Sequence, residues 1–250
     1  MNVSMSMEQE EKDEILHKAT VFFEKHIIEN HIKNTRKLSD IKEFNVNPFT
    51  AAYLANFAFG DTSPESLAKA LIYPRVLGTS IATSFGTEIQ RFNSEVLSSF
   101  ASTTSGIDIE YKDAQRGRHI YCQLKAGPQT INKDDVATIC GHFKGVVNLA
   151  RTNGNSDINP LTDCVVGILY GTRSQLSANY KKIEEEGYTV LIGDEFWASL
   201  TGDPDFYEDL IDAMVRGDAA SASGVLEETT RELTKAIEAD PDVIPTSKES

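Results

Sequence analysis

Asp108, Gln123 and Lys125 are the residues of this 250-residue chain whose types and spacing could do chemistry together. Around them Ile107, Ile109 and Tyr111 alternate with Asp108 and Glu110, which is strand spacing. After a turn-like stretch, Asp113-Ala114-Gln115-Arg116-Gly117, the alternation resumes from His119 to Lys125. There Ile120, Cys122 and Leu124 point to one face, and Tyr121, Gln123 and Lys125 to the other. The two runs read as an antiparallel hairpin, which lets Asp108 approach Gln123 and Lys125 from the neighbouring strand. An acid, a second oxygen ligand and an ammonium at one sheet edge are what hydrolysis of a phosphodiester needs. The two oxygens would hold Mg²⁺, a hard cation that keeps several waters, and the lysine would stabilise charge on the phosphate. Glu88, in Phe85-Gly86-Thr87-Glu88 just ahead of the hairpin, could add a further ligand; a first-turn glutamate also simply suits a helix dipole. An exposed strand face is equally an ordinary place for Asp, Gln and Lys.

The elements that must position these residues can be read around them. Residues 8–33 read as one amphipathic helix, with Leu16, Ala19, Phe23, His26 and Ile27 at spacings of three and four. Helices are expected near 50–59 and 64–77, the second opened by Ser63-Pro64, and near 86–100. Beyond the hairpin a helix is expected near 132–151 and a buried strand over 163–170. A short strand at 188–192 then leads into helices near 194–201, 205–216 and 224–238, and the last residues should fray. The expected fold class is α/β, a mixed central sheet flanked by helices. Its organisation would be a helical N-terminal region over 1–80, a core over 81–240 and a tail over 241–250.

Charge does not decide the partner by itself. The net charge of −14 resides in the last part of the chain: residues 183–250 carry 4 Lys and Arg against 18 Asp and Glu. Residues 101–182 carry 10 against 7, a mildly basic middle that holds the candidate site. The three cysteines, Cys122, Cys140 and Cys164, are widely spaced among apolar neighbours and read as buried free thiols. A polar, acidic start and the lack of any long apolar run give the expectation of a cytoplasmic protein with no membrane partner. No Gly-x-x-x-x-Gly-Lys-Ser/Thr loop and no Gly-x-Ser-x-Gly elbow occur, so no nucleotide cofactor and no serine-hydrolase chemistry are expected. Trp197, the only tryptophan, reads as a packing residue.

The order of a helix with an acid, a strand with Asp108 and a strand ending Gln123-Leu124-Lys125 resembles the PD-(D/E)xK nuclease superfamily. Closer still, the chain is similar to the family of type II restriction endonucleases that includes the enzyme cutting RGGNCCY. The matching stretches are Asn47-Pro48-Phe49, Leu124-Lys125-Ala126-Gly127 with Thr130-Ile131, Val165-Val166-Gly167, Tyr170-Gly171 and Glu195-Phe196-Trp197. By that resemblance Asp108 is the metal-binding aspartate, Lys125 the catalytic lysine and Gln123 the residue at the variable acidic position. Two departures stand out: Ile107 where a proline often precedes the aspartate, and a neutral Gln123 where a carboxylate is usual. The second removes a charge that Glu88 or Glu110 would have to replace. The resemblance further implies double-stranded DNA as partner, Mg²⁺ as cofactor and a homodimer matched to a palindromic or interrupted palindromic site. DNA contacts are then expected from Lys112, Arg116, Arg118, Lys133, Lys144, Arg173, Lys181 and Lys182. A structure-specific repair or recombination nuclease, and a non-catalytic DNA-binding protein on a decayed nuclease fold, share these features.

Overall fold

The computed structural model describes residues 7–80, 88–154, 157–216, 222 and 224–240. Its helices are α1 (Gln9–Phe22), α2 (Glu29–Lys37), α3 (Pro48–Phe59), α4 (Pro64–Pro74) and α5 (Ile89–Val96). Then come β1 (Ile109–Lys112), β2 (His119–Lys125), α6 (Lys133–Thr152), the one-turn α7 (Pro160–Asp163) and β3 (Cys164–Ile168). The chain continues through α8 (Ala178–Glu185), β4 (Thr189–Ile192), α9 (Asp194–Thr201), α10 (Phe206–Arg216) and α11 (Val225–Ala239). The expected α/β class is what is observed, a mixed four-stranded sheet flanked by helices.

Local chemistry explains where the helices begin. Asn47 Oδ1 accepts from the Phe49 and Thr50 amides ahead of Pro48, and Ser63 Oγ accepts from Ser66 ahead of Pro64. Asn132 and Asp135 cap α6 reciprocally, each side chain accepting from the other's backbone amide. Two expectations need correction, and one element goes beyond them. The helix expected over 8–33 is interrupted by a wider π-turn at Phe23–Ile28. The segment between the last two strands, for which no element was expected, carries α8. The helix expected near 86–100 is the shorter α5 followed by a 3₁₀ turn, Ser98–Phe100. Its first residues, like the tail after residue 240, lie outside the described residues.

The described chain divides into two compact units, one from Met1–Phe22 and Gly86–Arg216, the other from Phe23–Phe85 and Gly217–Ser250. In the first, the sheet order is β1-β2-β3-β4, with β1 antiparallel to β2 and the other pairs parallel. The parallel steps are made by crossovers, α6 between β2 and β3 and α8 between β3 and β4. One sheet face, with Cys164, Val166, Ile168, Val190 and Ile192, packs on Ile139, Phe143 and Val147 of α6 and Tyr180 and Ile183 of α8. On the other face Tyr111 meets Phe196 edge-on, and Trp197 donates to the Leu169 carbonyl at 2.9 Å. Gly167 admits that packing, since a β-carbon there would press on the Phe196 ring and on Cys122 Sγ. All three cysteines are buried free thiols, as expected. In the second unit, Ala51, Ala55, Leu67, Ile72, Leu233 and Ile237 form a separate core of α3, α4 and α11. Among the described residues no helix is long and apolar enough to cross a membrane.

Candidate active site

The hairpin register pairs Ile109 with Cys122 and Glu110 with Tyr121. That register ends there: Asp108 stands at a bend just before β1, and its amide turns to the same Cys122 that faces Ile109. On β2, Gln123 and Lys125 are two residues apart and share a face. The Asp108 carboxylate reaches the Leu124 amide between them, which gathers Asp108, Gln123 and Lys125 at the end of the sheet where β1 gives out.

Each side chain is held in a definite way. The Asp108 amide donates to the Cys122 carbonyl at 3.0 Å, and Asp108 Oδ2 accepts from the Leu124 amide at 2.7 Å. Burial pushes the Asp108 carboxyl above its ordinary range; the Leu124 N–H and the nearby Lys125 pull the other way without cancelling it. Gln123 is only 6% exposed. Its Nε2 donates to the Gly106 carbonyl and, at 2.6 Å, to His142 Nδ1, while its Oε1 is buried without a hydrogen-bond partner. Lys125 is half-buried beside these groups.

The acids proposed to make up for the missing carboxylate are engaged elsewhere. Glu88 stands at the start of α5, where its carboxylate pairs with Arg91 at 3.2 Å. Glu110 accepts from Ser102 Oγ, from Thr104 Oγ1 at 2.7 Å and is paired with His119 Nε2 at 2.7 Å. Burial tends to raise the Glu110 carboxyl, but these contacts outweigh it and hold the group below its usual value. Among the described residues no three His, Cys, Asp or Glu side chains converge in a metal-holding group. What the cluster does offer is the Asp108 carboxylate and the orphaned Gln123 amide oxygen. Both are hard oxygen donors, and two of them beside an ammonium suit a divalent cation that retains much of its water.

The candidate DNA-contacting cations separate into groups. Arg118 forks onto Asp163, with both contacts at 2.5 Å, and also donates to the Asp157 carbonyl at 2.7 Å. Arg173 pairs with Glu184 at 3.1 Å and Glu195 at 3.0 Å. Lys133, Lys144 and Lys182 line one groove of about 450 Å³ between α6 and α8. Lys112, Arg116 and Lys181 are exposed, the first two at the hairpin turn.

Sequence reasoning missed His142 and the part played by Gly106. A lone histidine on a helix carries no signal. Gly106, two residues before Asp108, carried one: it adopts φ +79°, and a β-carbon there would overlap the His142 ring. The segment after Lys125 is pinned as well, since Thr130 Oγ1 and Tyr180 OH both donate to the Gly127 carbonyl, at 2.9 and 3.0 Å.

Among known protein families, the one described as type II restriction endonuclease EcoO109I matches residues 17–220. No curated protein matches the chain.

Proposed function

The chain belongs to the type II restriction endonuclease EcoO109I family, and we propose that it is a Mg²⁺-dependent, site-specific DNA endonuclease of the PD-(D/E)xK kind, acting through Asp108, Gln123 and Lys125. The observation that carries this reading is the Asp108–Leu124 hydrogen bond, which holds an acid against the strand that carries the Gln123 amide and the Lys125 ammonium. The substrate is double-stranded DNA with a short palindromic or interrupted palindromic site, cut by a homodimer as the restriction half of a restriction-modification pair. Two-fold protein symmetry matches the two strands of such a site.

Asp108 and Gln123 are the residues that would hold the cation. When bound, Mg²⁺ supplies acidification of water and stabilisation of charge on the phosphate. The rest is done by the chain itself. The Leu124 N–H fixes the Asp108 carboxylate in place. The Lys125 ammonium orients the attacking water and offsets the negative charge that grows on the phosphoryl oxygens. The phosphate backbone would be gripped by the cations around the hairpin turn and the α6–α8 groove, with Lys112, Arg116, Lys133, Lys144, Lys181 and Lys182 as the contacts.

The neutral residue at 123 favours one second reading, a DNA-binding protein on a nuclease fold that no longer cuts. Incubating the protein with plasmid and Mg²⁺, then sequencing the fragment ends, separates the possibilities. Discrete fragments with a common end sequence support the proposal, and cutting confined to branched DNA identifies a structure-specific nuclease. No cutting and no divalent-ion binding would leave only the non-catalytic reading.

A further inference from the structure

Gln123 departs from the carboxylate pattern, yet its surroundings are shaped to an amide. The Gly106 carbonyl can only accept, so the Gln123 atom against it must be the nitrogen. The same nitrogen reaches His142 Nδ1, and an amide nitrogen can only donate, so the ring nitrogen facing it is the acceptor. With both amide hydrogens spoken for, Oε1 is left as the unpaired atom of a side chain more than nine-tenths buried. A carboxylate at 123 would set an oxygen against the Gly106 carbonyl oxygen. Gly106 is itself fitted to this arrangement, since its positive φ and its contact with the His142 ring leave no room for a β-carbon.

We propose that His142, together with the Gly106 carbonyl, is a positioning residue that fixes the Gln123 amide so that its oxygen, and not its nitrogen, is the group offered beside Asp108. The inference rests on the reading of Asp108 and Gln123 as the cation-holding pair. It makes glutamine at 123 a working ligand with its own outer support, of the kind that histidine and carboxylate ligands have elsewhere.

The test measures Mn²⁺ binding to the full chain by electron paramagnetic resonance, without DNA, alongside thermal melting. Removing the acceptor in His142→Leu should weaken Mn²⁺ binding by about 10-fold or more, the usual cost of losing an outer-shell partner. His142→Asn, whose Oδ1 sits at the same bond distance from the backbone as Nδ1, should recover most of it. His142→Ala stands in should the leucine variant fail to fold. Wild-type Mn²⁺ affinity in the acceptor-less variant overturns the proposal, as does equal weakness of the Asn and Leu variants when both melt normally. Asp108→Ala serves as the control. If it too binds Mn²⁺ like the wild type, the cation site itself is misplaced and this inference falls with it; if it alone weakens binding, only the role of His142 falls.

Discussion

Asp108 completes with its side chain the ladder that β1 abandons: its Oδ2 takes the Leu124 amide hydrogen at 2.7 Å, one step beyond the Asp108 N–H to Cys122 carbonyl bond. The carboxylate is thereby locked to β2 at the residue lying between Gln123 and Lys125. One side-chain hydrogen bond thus fixes the acid against the strand that carries the amide and the ammonium.

The burial of Asp108 sets up opposite effects on stability and activity. Burial raises the Asp108 carboxyl above its ordinary value of 3.8, so the folded state holds this proton more tightly than the unfolded one. The stability so gained is complete below 3.8 and is lost as pH rises through the folded-state value. Asp108→Asn, which cannot ionise, should therefore melt higher than the wild type at pH 7 without metal, the difference vanishing at low pH. The same variant, and Lys125→Ala, should lose at least about 10²-fold in plasmid cleavage. Melting curves from pH 3 to 8 and single-turnover cleavage read the two sides; a variant that cuts at the wild-type rate sinks the assignment of that residue.

Arg118 and Asp163 give the reverse pH behaviour. Burial works to raise the Asp163 carboxyl, but hydrogen bonds from Arg118, the Asn159 amide and Thr162 prevail and lower it. Its contribution to stability is present above 3.8 and disappears as pH falls through the depressed folded value. Arg118→Ala should therefore move the acid-unfolding transition to higher pH and lower the melting temperature at pH 7 through a buried Asp163 that has lost its cation. Circular dichroism against pH measures this. An unchanged transition would mean that the arginine is free to serve DNA instead.

How much of this could be read from the chain follows from what periodicity can encode. The alternation at Ile107–Tyr111 and at His119–Lys125 gave both strands and the shared face of Gln123 and Lys125, because side-chain direction in a strand depends only on parity, whereas the bend at Asp108 left no mark in it. α8 was not legible: eight residues with Lys181, Lys182 and a run of glutamates show only Tyr180 and Ile183 as buried anchors. The π-turn at Phe23–Ile28 leaves the apolar spacing almost intact, so a 3.6-residue pattern runs straight through it. The joining of the segment after Gly217 to that after Phe23 is a long-range packing choice with no local mark. His142 was hidden for the same reason, since only the tertiary fold brings it against Gln123.

Lys133, Lys144 and Lys182 share a groove, and no ion pair among the described residues holds them, whereas Arg173 is already neutralised by Glu184 and Glu195. Replacing the three lysines with glutamine should weaken DNA binding and flatten its dependence on salt, by about 0.9 in slope for each phosphate contact removed. Arg173→Ala should leave the slope unchanged. Fluorescence anisotropy with duplex DNA over a salt series reads both. A triple variant with the wild-type slope removes the α6–α8 groove from the DNA interface.

The last expectation concerns the second copy of the chain. On α3, Phe49, Tyr53 and Phe57 are 87%, 65% and 76% exposed and recur every four residues, so they share one face. The Tyr53 and Phe57 rings stack at 5.9 Å, with exposed Leu54 and Phe59 on the same helix. At about 200 Å² for a fully exposed aromatic side chain, the aromatic residues alone present about 500 Å². That matches the largest apolar patches that monomers leave open and approaches the roughly 800 Å² per partner of a stable interface. α3 contains no charged residue, so a second α3 packed against it buries no unpaired charge. Antiparallel pairing about a two-fold axis near Tyr53 sets Phe49 of one copy against Phe57 of the other, which is the self-complementarity a symmetric dimer requires. Replacing Phe49, Tyr53 and Phe57 by serine should therefore convert a dimer to a monomer in sedimentation equilibrium. Melting of the protomer should stay near the wild type, because these side chains add little to its core. A wild type that sediments as a monomer at tens of micromolar, or a triple variant that remains dimeric, would rule out α3 as the contact between copies.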